Sequence, residues 1–230
     1  MYGKEKEKTI SPLYVHNNPK STISEKFRGI RSNIMFSGAN SEIKSLIVTS
    51  EKPASGKSTI TANIANTYAQ AGYRTLIIDG DMRKPTQQNF FNLTNHSGLS
   101  NLIIGKTLQT DAIKETHIEN LYVLTSGPIP PNPSELIAST NFHKLLNKLT
   151  DEFDFILIDT PPVTTVTDAQ LYAQKVSDCV LVIDGSKNEK NEVKKAKELL
   201  VKSGGKVIGA VLNKMTIEKG SSYYYYYGDE

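Results

Sequence analysis

Three aspartates and one lysine carry the chemistry open to this sequence. Gly56-Lys57-Ser58-Thr59 stands in a polar loop with Pro53 and Ser55, between the apolar run Leu46-Ile47-Val48 and a stretch at helical spacing from Ser58 to Ala71. Asp79 and Asp81 follow Leu76-Ile77-Ile78, and Asp159 follows Ile156-Leu157-Ile158. Strand, loop with Gly-Lys-Ser-Thr, helix is the context that a phosphate-binding loop needs. Successive backbone N–H groups curl around the anion, and the positive end of the helix faces it. In that arrangement Ser55, Gly56, Lys57, Ser58 and Thr59 hold a nucleoside triphosphate. Lys57 neutralises phosphate charge, and the Ser58 hydroxyl holds a Mg²⁺.

The loop departs from the strict pattern G-x-x-x-x-G-K-[ST]. Glu51 stands where that pattern begins with Gly, and Ala54 and Ser55 occupy places that often carry Gly for its positive φ angles. The acids restore the argument. Any single acid after an apolar run also serves to cap a following helix. Three acids beside a Lys-Ser-Thr loop are better explained by a site for ATP and Mg²⁺. Mg²⁺ keeps several of its waters, so Ser58 with one or two carboxylates is the expected protein share. Asp159 suits the Walker B role, Asp81 supports the same ion, and Asp79 is left to act on an attacking hydroxyl.

Elements of matching type must bring these residues together. Short apolar runs precede Ser50, Asp79, Leu124, Asp159 and Asp184, and a sixth run, Val207 to Leu212, closes on Asn213. Helix-length segments separate most of them, which predicts an α/β domain with a doubly wound, mainly parallel sheet flanked by helices, a P-loop NTPase. Ligands bind at the C-terminal edge of such a sheet, which places the loop, the three aspartates and Asn213 together. Helices are expected from Thr22, with Thr22 to Glu25 as a capping box, at Leu99 to Ile104, at Phe142 to Leu149 and at Asn188 to Lys202. Ser134 is expected to cap a further short helix. Residues 86–120 carry no clear period otherwise.

The outer segments read differently. Residues 1–20 are polar and charged and predict a flexible arm; 21–216 make the domain; 217–230 form a tail with five consecutive tyrosines, Tyr223, Tyr224, Tyr225, Tyr226 and Tyr227. Glu25, Arg28 and Arg31 are three apart on one helix and suit either a solvated face or a contact with another subunit. A net charge of +3, evenly mixed, argues against nucleic acid as a partner. No apolar run approaches the ~20 residues of a membrane-spanning helix, so a cytoplasmic location is expected. The lone Cys179 lies within Cys-Val-Leu-Val-Ile and is expected to pack in the core.

Ile-Ile-Asp79-Gly-Asp81-Met-Arg83, the Ile-Leu-Ile-Asp159-Thr-Pro-Pro turn and the terminal tyrosines resemble the bacterial tyrosine kinases of capsule and exopolysaccharide synthesis, which share a fold with the MinD/ParA group of P-loop ATPases. The resemblance runs from about residue 20 to the end. It implies that Asp79 and Asp81 form a Walker A′ motif and that Glu25-x-x-Arg28-x-x-Arg31 is an oligomerisation motif. It further implies that the tail tyrosines are phosphoacceptors, entering the site of a neighbour in a ring. A membrane protein of the CapA type is the implied activator, recruiting the kinase to the inner face of the membrane. Enzymes making sugar-nucleotide precursors are the implied substrates. The competing reading is a nucleotide-gated assembly switch of MinD/ParA type, and Lys52 stands at the position of that group's extra signature lysine.

Overall fold

A computed structural model describes residues 12–38, 42–187 and 189–215 of the chain. Its centre is one sheet of seven strands: β1 (Ser45–Ser50), β2 (Thr75–Asp79), β3 (Ile113–Glu115), β4 (Leu121–Leu124), β5 (Phe155–Asp159), β6 (Asp178–Asp184) and β7 (Lys206–Asn213). They lie in the order β3-β4-β2-β5-β1-β6-β7. Six are parallel, and β3 alone runs antiparallel, paired with β4 at the edge. The doubly wound sheet expected from the sequence is present, with β3 as an addition. Three partly exposed residues carry no alternation by which a strand could be recognised.

Side chains alternate across a strand, so each central strand feeds two cores. Leu46 and Val48 pack with one cluster and Ile47 with the other. The first cluster is covered by α1 (Tyr14–Asn17), α2 (Thr22–Ser37) and α3 (Lys57–Gln70), with α4 (Gln87–Phe90) at its margin. Against the other cluster lie α5 (Leu99–Ile103), α6 (Gln109–Ala112), α7 (Pro133–Ala138), α8 (Thr140–Glu152), α9 (Asp168–Val176) and α10 (Lys190–Lys202). Cys179 is buried among them, and burial pushes its thiol up to about 12, which leaves it inert.

Three local expectations need correction. The cap of α2 is Ser21, whose hydroxyl accepts from the Ser24 N–H at 3.2 Å, one residue before the predicted box. Glu25 does not reach back to the cap; it pairs with Arg28 along the helix. At α7 the cap position belongs to Asn132 with Pro133 in the first turn, and the Ser134 hydroxyl is drawn instead to Asp168. The third concerns residues 12–20, expected within a free arm. They strap across α3: the Asn63 side chain accepts from the Val15 N–H at 2.9 Å and donates to the Pro12 carbonyl at 2.7 Å, while Leu13 and Val15 are buried. The tail with Tyr223 to Tyr227 lies outside the described residues.

The ladder on α2 is divided. Glu25 and Arg28 form an exposed ion pair, whereas Arg31 Nη1 donates to the Thr67 carbonyl of α3. The strap yields a direct test. Because Leu13 is buried, Leu13→Ala is expected to destabilise the protein by about 2–5 kcal/mol in urea unfolding. A free arm would leave the unfolding midpoint where it was.

Candidate active site

The site begins with the register of the sheet. Asp79 and Asp159 are opposite one another on β2 and β5, so two acids start side by side at the C-terminal edge. The loop after β1 then delivers Lys57 between the acids. Lys57 Nζ lies 3.1 Å from Asp81 Oδ2, 3.4 Å from Asp159 Oδ1 and 3.3 Å from the Ser58 hydroxyl. Burial works to lower the lysine pKa, but Asp159 and Asp81 outweigh it and hold the pKa above its ordinary value. The three predicted aspartates and Lys57 are therefore one cluster.

The loop keeps its conformation despite its unusual sequence. Gly56 has φ +94°, and a Cβ there would come within 2.2 Å of Asn213 Nδ2. Asn213 reaches in from the end of β7 and donates to the Ser55 carbonyl at 2.9 Å, so the predicted contribution of β7 is made through the loop backbone. Ala54 has φ +63°, a left-handed geometry that costs a non-glycine residue on the order of 1–2 kcal/mol. Lys214 donates to the Ala54 carbonyl at 2.5 Å and braces that strained turn. Its ammonium also lies 3.1 Å from Asp184, whose carboxyl is held down to about 2, chiefly by the Ser186 hydroxyl and then by Lys214.

Glu51 proves to be a strut. Its carboxylate is buried, accepting from the Asp184 N–H at 3.0 Å and from the Ser55 hydroxyl at 3.1 Å. A glycine could make neither bond. Lys52 turns outward to an ion pair with Glu189. The sequence signal for Glu51 was present as an acid in place of the pattern's first glycine; its role as a brace was not.

A cavity of 340 Å³ opens above this cluster. Gly56, Lys57, Ser58, Thr59, Asp81 and Arg83 contribute to its wall, faced by Pro161 and Pro162. Arg83 is fixed by a two-pronged contact with Asp168 at the start of α9, at 2.9 and 3.0 Å, and Ser134 shares the same carboxylate at 2.7 Å. No motif spacing links Arg83 to Asp168; the fold alone brings them together. The site presents hard oxygen donors, the Ser58 hydroxyl and the Asp81 and Asp159 carboxylates, clustered about a cation. Those donors suit Mg²⁺. Among the described residues no group of three or more His, Cys, Asp or Glu is arranged as a metal site by itself.

Asp79 stands apart from the wall. It is fully buried, and its Oδ2 accepts from the backbone N–H groups of Thr86 and Gln87, each at 2.9 Å. Its Oδ1 has no partner among the described residues. Burial first, and the neighbouring Asp159 charge second, push its pKa up to about 8.

Similarity to known proteins agrees with this geometry. A family model described as an AAA domain matches residues 41–192. A Staphylococcus aureus protein, CapB, assigned by its name to the tyrosine-protein kinases, is 72% identical over 98% of this chain and 99% of its own length. A crystal structure of the chimerical protein CapA2B2 superposes with a TM-score of 0.87 at 57% identity, covering 90% of this chain and 91% of that one. The cell division ATPase MinD of Pyrococcus furiosus superposes with a TM-score of 0.64 at 26% identity, over 74% of this chain and 71% of its own. Fold and site together define a P-loop ATPase of the MinD/ParA class. Within that class, the chain belongs to the family of bacterial tyrosine-protein kinases.

The raised pKa of Asp79 has a measurable consequence. A buried acid whose folded pKa exceeds its unfolded value near 4 binds its proton more tightly in the folded state. Stability from this group is therefore full below that unfolded pKa and lost as pH rises toward the folded one. Without nucleotide, the wild-type Tm is expected to fall between pH 6 and 8 more steeply than that of Asp79→Asn. Parallel profiles would show that Asp79 carries no such proton.

Proposed function

We propose that this chain is an ATP-dependent protein-tyrosine kinase that phosphorylates its own C-terminal tyrosine cluster, between subunits, and thereby regulates capsular or exopolysaccharide synthesis. The observation that carries the reading is the contact of Lys57 with Asp81 at 3.1 Å and with Asp159 at 3.4 Å, with Asp79 buried beside Asp159 and with Lys57 and Asp81 on the wall of a nucleotide-sized cavity. Ser55 to Thr59 and Asn213 form the nucleotide site. Lys57 turns its charge from the aspartates to the phosphates when ATP enters. Ser58, Asp81 and Asp159 would hold Mg²⁺, which would supply charge neutralisation for the transferring phosphoryl group.

A tyrosine phenol has a pKa near 10 and must lose its proton during transfer. The transition state is loose, so the proton leaves late, and positioning with charge neutralisation supplies most of the rate. Asp79 is the proton acceptor in this scheme. Its raised pKa makes the ionised form a stronger base than an ordinary aspartate and also a minority form at neutral pH. Asp81, on the cavity wall, orients the incoming hydroxyl and the ion.

The tail is within reach. Tyr223 lies ten residues beyond Asn213, a tether of at most about 35 Å, which spans to the chain's own site or to a neighbour's. The exposed pair Glu25 and Arg28, with Arg31 beside it, is the proposed subunit contact of a ring. Each phosphorylated tyrosine adds about −1.5 to −2 charge, which favours release of the tail from an acid-rich site. A CapA-type membrane protein is the proposed activator, bringing this cytoplasmic chain to the inner membrane face, and sugar-nucleotide enzymes are proposed further substrates. Among the described residues no helix is long and apolar enough to cross a membrane.

Incubation with labelled ATP, with and without the cytosolic end of the activator, tests the reading. Phosphotyrosine is expected on the tail. It should be lost in Asp79→Ala with ATP still bound, lost with ATP binding in Lys57→Met, and lost when Tyr223 to Tyr227 are all changed to Phe. Free phosphate without phosphotyrosine would support the assembly switch instead.

A further inference from the structure

Gln87 is a fully buried residue in the turn beyond Asp81 and belongs to none of the motifs above. Its side-chain amide nevertheless touches two parts of the site. Nε2 donates to the Ser58 carbonyl at 3.2 Å and to Asp159 Oδ2 at 2.9 Å. Both partners only accept, so the amide must present its nitrogen to them and its orientation is fixed. The backbone N–H of the same residue donates to Asp79 Oδ2 at 2.9 Å.

We propose that Gln87 is a positioning residue: its NH₂ group sets the separation between the Ser58 loop and the Asp159 carboxylate, and so shapes the site for the nucleotide-bound Mg²⁺. Three features support this role. The Asp159 carboxylate is divided between two donors, Oδ1 toward Lys57 and Oδ2 toward Gln87. When Lys57 turns to phosphate, Gln87 remains as the contact that fixes the carboxylate plane. Ser58 is held by Gln87 through its carbonyl, so this contact makes no claim on its hydroxyl, which meets Lys57 instead. Gln87 Oε1 is buried with no partner among the described residues, so the residue bears a polar cost that a structural apolar side chain would avoid. A hydrophobic residue would serve packing better; an amide serves the site.

The inference rests on the proposed roles of Ser58 and Asp159 as magnesium holders. Its test is equilibrium binding of fluorescent ADP across a Mg²⁺ titration, for the wild type, Gln87→Leu and Gln87→Glu. Leu removes the donor at similar size, and Glu keeps the length with no hydrogen to give when ionised. The expected result is a rise of roughly 10–100-fold in the Mg²⁺ concentration at half-saturation, with affinity for ADP in EDTA within about threefold of wild type. An unchanged Mg²⁺ midpoint in a folded variant would overturn the inference alone. Equal losses with and without Mg²⁺, or failure of both variants to fold, would make Gln87 merely structural and overturn it as well. A wild type indifferent to Mg²⁺ would instead sink the roles of Ser58 and Asp159, and this inference with them.

Discussion

A single ammonium group holds this site together before any ligand arrives. Lys57 lies among carboxylates that the sheet has forced into proximity, and Asp159 among them has no exposed surface. Two unit charges 4 Å apart interact by about 4 kcal/mol at an effective dielectric constant of 20, so two aspartates at the same edge without a cation would oppose folding. Lys57 offsets that repulsion. In the proposed function a triphosphate would draw on the same side chain, and its Mg²⁺ would take the lysine's place beside the aspartates. Stability without nucleotide and binding of nucleotide would then depend on one exchange of partners.

The surrounding framework keeps that exchange local. Glu51 ties the loop to the end of β6, and Asn213 and Lys214 tie it to the end of β7. The loop's own carbonyls and the Glu51 carboxylate thus accept from donors at the ends of two neighbouring strands, and the unusual Ala54 keeps the left-handed turn that glycine would take more easily. On the far side, Arg83 and Asp168 join the Asp81 turn to α9.

Much of this was legible in the sequence because buried parallel strands advertise themselves. Leu76-Ile77-Ile78 and Ile156-Leu157-Ile158 are apolar on both faces, and the aspartates at their ends mark the ligand edge. Lys57, Asp81 and Asp159 were found for that reason. The misses have a common cause. Leu13 and Val15 are ordinary apolar residues in a polar stretch, and only Asn63 on α3 decides that they pack. β3 is too short to show a period. Gln87 acquires its partners through the path of a turn, and no spacing rule relates it to Ser58 or Asp159. Asp79 was correctly grouped with the others, but its burial behind the wall depends on backbone amides that sequence does not reveal.

The exchange of partners at Lys57 is tested most directly by a double-mutant cycle in urea unfolding without nucleotide. Lys57→Met should leave two acids uncompensated and lower stability by about 3–5 kcal/mol. Adding Asp159→Asn should restore part of that loss, because one of the stranded charges is gone. Wild-type stability in Lys57→Met, or strictly additive effects of the two changes, would contradict the account.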